Sequence, residues 1–178
     1  ATDVTIAVDD VFDVTGDILI NWDESDRSLL VGGGNMGLSV SLGGGRSLNL
    51  STVDFALMFL TDGAQAGTFA FEGEGTASLV GFDGITWTGD LKARVNTTGQ
   101  AVTRAFTLNS IPRNLTFAAD EGNLRVLSGS ANLTVSNQFA IQGSFALRKT
   151  NFGNDPGFEV VASGVAASMS AGGSTIGV

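Results

Sequence analysis

The chain has no cysteine, no histidine and no tyrosine among its 178 residues, only 2 prolines, and 15% charged side chains. Each absence closes a class of chemistry. Without Cys or His there is no disulfide framework, no thiol nucleophile, no Ser-His-Asp or Cys-His pair, and no zinc site of the usual nitrogen and sulfur kind. Any catalyst would have to work with carboxylates, hydroxyls, Lys or Arg. Long hydrophobic runs are missing as well: the longest, Phe55 to Leu60, has six residues, against the roughly 20 of a membrane-spanning helix. No basic, apolar leader opens the chain, which fits a piece excised from a longer protein or one whose signal has been removed.

Positive charge is absent from the first 26 residues, which hold eight acids (Asp3, Asp9, Asp10, Asp13, Asp17, Asp23, Glu24, Asp26), while the rest of the chain holds ten acids and nine bases. The net charge of -9 is therefore local. An acidic surface repels phosphate, so neither nucleic acid nor an anionic membrane is an expected partner, and a cation is the one it favours.

What the chain does have is glycine, 25 of it, together with 12 Phe and 43% hydrophobic residues. Apolar residues alternate with Thr, Ser, Asn, Gln and charged side chains, as in Met36, Leu38, Val40, Leu42 and in Leu91, Ala93, Val95. A period of two predicts strands, about a dozen short ones joined mainly by hairpins. Glycine clusters at 32–34 and 43–45, with Asp62-Gly63, Asp83-Gly84 and Thr98-Gly99, read as the positive-φ punctuation of hairpin turns. Residues 51–60 also fit a helix with a Ser-x-x-Asp start. They align, however, with residues 109–118, which carry Pro112 and a strand-like NLTFAA, so both segments are read as strands.

That alignment is one of several. Asp3 to Ile20 matches Ser130 to Leu147 without gaps at an offset of 127, and Thr76 to Ala93 matches the same segment at an offset of 54. Gly16, Gly89 and Gly143 stand at the same step of all three copies. Met36 to Gly45 aligns with Val165 to Ser174 at an offset of 129, giving a module of about 128 residues built from a longer and a shorter half. The expected organisation is one continuous β region over residues 1–178, with units of about 1–74, 75–128 and 129–178. Its expected fold is all-β, mostly antiparallel hairpin repeats stacked into an elongated sandwich or a superhelical, solenoid-like sheet, stabilised by burying one unit against the next.

Candidate sites are few. Asp9, Asp10 and Asp13 place hard oxygen ligands around a hairpin turn, the chemistry calcium needs, although their aligned partners are Ser136, Asn137 and Ala140. Solvated acids that keep an edge hairpin soluble are the plainer reading. Glu72 and Glu74 share one strand face, with Asp83 and Asp90 in the next hairpin, but two Trp and no Tyr make a poor lining for a sugar-cleaving cleft. Trp87 aligns with Val14 and Ile141 and reads as core. Trp22 aligns with Lys149 and is the better candidate for a carbohydrate or other surface contact. Neither glycine triplet is followed by the Lys-Ser/Thr of a phosphate-binding loop, so both read as turns.

The segments GTFAFEGEGTASLVGF, LKARVNTTGQAV and SGSANLTVSNQFAIQGSFALRK resemble the repeat regions of very large secreted or cell-surface bacterial proteins of the giant adhesin-like kind. The resemblance implies an extracellular or cell-surface location and a non-catalytic role as a structural repeat, an extender or fibre-forming stretch of scaffold, with no cofactor. Neighbouring copies of the same module, or self-association through edge strands, are the implied partners. The alternative is a calcium-dependent or carbohydrate-binding adhesive module.

Overall fold

The computed structural model describes residues 4–8, 12–25, 27–108, 111–136, 138–152, 155–171 and 174–177. In these the chain forms β1 (Val4–Val8), β2 (Phe12–Asp23), β3 (Ser28–Gly43), β4 (Arg46–Leu60), β5 (Phe69–Val80) and β6 (Ile85–Asn96). β7 (Val102–Leu108), β8 (Ile111–Phe117), β9 (Arg125–Val135), β10 (Phe139–Phe152), β11 (Asp155–Ala171) and β12 (Ser174–Gly177) follow. Single 3-10 turns at Gly63–Gln65 and Ala119–Glu121 follow β4 and β8. The all-β, antiparallel expectation holds, and residues 51–60 lie within β4.

Ten strands make one sheet in the order β1-β2-β3-β4-β5-β6-β9-β10-β11-β12, and every pair in it is antiparallel. The hairpins therefore join edge to edge in a single meander. β6 pairs directly with β9, and the chain between them leaves the sheet to form the separate β7–β8 hairpin. Asn96, fully buried, holds the exit. Its Nδ2 donates to the Gln100 carbonyl at 2.9 Å while its Oδ1 accepts from the Thr98 N–H and Oγ1. The backbone N–H of Asn96 donates to the Leu124 carbonyl at 2.8 Å, so the excursion ends where it begins.

The compact core lies between this hairpin and one face of the sheet. Leu30, Ala56, Met58, Leu60 and Ala70 from the sheet meet Val102, Leu115 and Phe117 from the hairpin, with Leu124 closing one end. Alternation explains the membership, because Val102 pairs with Phe117 and Arg104 with Leu115, which puts one face of the hairpin against the sheet.

Two expectations need correction. The strands of the large sheet are long rather than short, up to 17 residues in β11. The triplet Gly32-Gly33-Gly34 is not a turn: it lies inside β3, where all three residues are buried. A Cβ on Gly32 would collide with the edge of the Phe106 ring at Cε2, and one on Gly34 would sit 3.0 Å from Leu108 Cδ2 and 3.2 Å from Arg113 Nη2. The triplet is where the hairpin comes down on the sheet, and a side chain there would hold it off. The second triplet, Gly43-Gly44-Gly45, is a turn, with φ of 77°, 63° and 74°.

A line of irregularity crosses the sheet. The register shifts at Thr15/Asp17, at Gly33/Met36, at Ser51/Asp54 and at Gln142/Ser144. Gly16, Asn35, Thr52 and Gly164 have positive φ at these places. Paired positions connect them from strand to strand: Met36 to Val53, Ser51 to Thr76, Thr76 to Asp90, and Ser130 to Ser144. Bulges at one level bend neighbouring strands together instead of breaking their pairing. Gly16, Gly89 and Gly143, which align in sequence, stand on or next to this line.

Candidate functional site

Two faces of the sheet differ in chemistry, and each positions one group of candidate residues. On the hairpin side, β5 and β6 set Glu72 opposite Arg94 and Glu74 opposite Lys92. Arg94 Nε donates to Glu72 Oε2 at 2.7 Å and Nη1 to Glu121 Oε1 at 2.6 Å, while Nη2 donates to the Thr116 carbonyl. Its guanidinium lies 4.7 Å from the Phe117 ring centre. One side chain thus ties the sheet to β8 and to the turn that follows it. Lys92 Nζ reaches Glu72 at 3.0 Å and Glu74 at 3.3 Å. A second tie joins Arg113 of the hairpin to Asp54 of β4 at 2.8 Å, and Asp54 also accepts from the Asn35 N–H.

These partners answer the carboxylate question raised by the sequence. Glu72 and Glu74 do share a face, but cations stand opposite both. Asp90 is on β6, accepting from Thr76 Oγ1 at 2.9 Å, and Asp83 is in the β5–β6 turn. The arrangement binds strands together. The Arg94 hydrogen bond, helped by the Ala118 N–H, holds the Glu121 carboxyl below the usual glutamate range, and the Glu72 hydrogen bond raises Lys92. A glutamate whose folded pKa is depressed contributes stability above its unfolded value, near about pH 4, and loses it as the pH falls through the folded one. Arg94→Leu should therefore lower the unfolding free energy at neutral pH by about 1.5 kcal/mol. Urea melts at descending pH should also show the variant losing less stability than the parent in the acid range.

The other face is apolar. Register places Ile18, Gly33, Phe55, Gly73, Ala93, Leu127, Leu147 and Val160 in one row across eight strands, with no polar residue in it. Next to it run Ile20, Val31, Leu57, Phe71 and Val95, a row that Arg125 closes with a charge on β9, and beyond the line of bulges Ile85, Val135, Phe139, Met169 and Ile176. The Phe55 and Phe71 rings stack with centres 6.1 Å apart. None of the described side chains larger than methionine on this face is buried, and Ile20 and Val160 are each 67% exposed. Alternation correctly separates the faces, but most apolar residues point to the side that this chain leaves open. Trp87 belongs there, half-buried, rather than to the compact core.

Trp22 is exposed on the same face, at its corner, opposite Leu29 on β3 and near the Arg27–Asp62 ion pair. Asp9 and Asp10 lie outside the described residues, as does the side chain of Asp13 on β2. Among the described residues no group of three or more Asp or Glu could hold a metal ion, and no helix is long and apolar enough to cross a membrane. Sequence reasoning missed Arg94 and Asn96, which organise the hairpin. Arg94 carried one signal, a cation two residues beyond Lys92 in a strand following Glu72 and Glu74. No protein family, curated protein or solved structure matches the chain.

Proposed function

We propose that this chain is a non-catalytic structural module, an extender of a secreted or cell-surface protein whose repeats continue one antiparallel sheet from unit to unit. The observation that carries this reading is the meander itself, whose ten strands end, among the described residues, on two unpaired edges, β1 and β12. An open edge is a template for another strand of the same kind. The three aligned hairpins support it: β1–β2, β5–β6 and β9–β10 lie in one sheet with Gly16, Gly89 and Gly143 near one transverse line. A unit with this pattern can be added beside another without changing the bend. The paired charges fit the same role, since the ion pairs of Glu72, Glu74, Lys92 and Arg94 hold strands and hairpin rather than leaving a carboxylate free for proton transfer.

Two copies expressed as one chain test the proposal. In negative-stain micrographs they should form one particle about twice as wide across the strands as the single module. Amide exchange should protect the first copy's β12 and the second copy's β1 once they meet. Two separate beads on a flexible joint, with both edges exchanging as in the single module, would rule out lateral continuation.

A further inference from the structure

The apolar face opposite the hairpin has no task in lateral extension, which uses only the strand edges. We propose that it is covered by the same face of a second copy, the two sheets packing into a sandwich about 10 Å thick. The proposal stands on the face itself and is independent of how modules join at their edges.

Extent is the first argument. The eight strands that carry this row, at about 4.8 Å spacing, span about 34 Å, and a strand of twelve residues such as β6 runs about 40 Å, so the face measures on the order of 1,300 Å². A stable complex needs only about 800 Å² per partner, and obligate pairs, which are larger and more apolar, reach this size. An uncovered apolar patch on a monomer rarely exceeds a few hundred Å². The second argument is composition. The row from Ile18 to Val160 holds no charge, and depletion of charge is what marks the centre of an interface. Third is relief. Phe55 lies against the open position of Gly33 and Phe71 against that of Gly73, so these glycine gaps are filled from within the same sheet. A second copy, bent along the same line, offers a pleated face of matching width.

Sedimentation velocity over a concentration series is the first test, and the wild-type chain should run as a dimer. Leu127 is 38% exposed and Ile20 67% exposed within one copy, so Leu127→Glu and Ile20→Glu should keep the parental circular dichroism. Each should nevertheless weaken dimerisation by about a hundredfold or more, because a carboxylate would be sealed under apolar surface. The chain has no cysteine, so a spin label on Ala93→Cys reports one position. Ala93 lies on β6 near the middle of the sheet. Face pairing then gives a label separation below about 25 Å, and edge pairing about 43 Å or more. A monomer throughout the series would overturn the proposal, and so would a dimer with the long separation, which would leave the lateral extender standing. A monomer that floats with neutral phosphatidylcholine vesicles would also overturn it, by giving the face to lipid. Failure of the two-copy chain to form one particle would count against lateral extension and not against this pairing.

Discussion

Phe117→Ala should lower the unfolding free energy by about 3–5 kcal/mol, the range for a buried aromatic truncated in a core that cannot collapse around the gap. Phe117 is only 1% exposed and pairs with Val102, and it is the largest side chain of the core between hairpin and sheet. Collapse is restricted because the hairpin is held at both ends, by Arg94 to Glu121 and by Arg113 to Asp54. The substitution also removes the ring beneath the Arg94 guanidinium. Chemical denaturation gives the free energy. Amide exchange locates it: β7 and β8 should lose protection first, while β10 and β11, far along the sheet, keep theirs. A loss below 1 kcal/mol, or loss of protection spread evenly over all strands, would contradict a core seated under this hairpin.

Gly32→Val is the second large effect, and propensity alone assigns it the wrong sign. Valine suits a strand better than glycine by up to about 1 kcal/mol, so a reading of β3 as an ordinary strand predicts a gain. The structure predicts a loss of about 3 kcal/mol, because the new Cβ would collide with the edge of the Phe106 ring and its methyl groups would press further on it. Phe106→Ala in the same chain should recover part of that loss, whereas independent sites would simply add. Denaturant melts of the two single variants and the double variant decide it. Strict additivity would mean that the hairpin does not rest on the glycine triplet.

The all-β, antiparallel fold was legible because strand signals are local. Alternation, the Asp83-Gly84 and Gly43-Gly44-Gly45 turns, and Pro112 in the copy of residues 51–60 depend on neighbours in sequence, and these expectations stand. The shared face of Glu72 and Glu74 was legible for the same reason. Their neutralisation was not: Lys92 and Arg94 face them only through the β5–β6 register, and Glu121, the other partner of Arg94, arrives from the turn after β8. The exposure of Trp22 was indicated by its alignment with a lysine, and the structure agrees.

The glycine triplet at 32–34 shows where local reasoning fails. Glycine relieves two different constraints, a positive φ within the chain and the close approach of something outside it. The sequence does not distinguish them. Gly43 to Gly45 meet the first; Gly32 and Gly34 meet the second, because Phe106, Leu108 and Arg113 come from more than seventy residues away.

From its order alone the chain determined that it would form strands, where most of them would turn, and that most would carry an apolar side and a polar side. Those are consequences of backbone geometry with a period of two. Which side would be covered was decided only in three dimensions. The β7–β8 hairpin folds back onto the more polar side, over its apolar patch of Leu30, Ala56, Met58, Leu60 and Ala70, where the Arg94–Glu121 and Arg113–Asp54 pairs tie it down and Gly32 makes room for it, and so the compact core forms there. Among the described residues nothing covers the broad apolar face, because burial depends on what packs above a strand, and alternation carries no information about that.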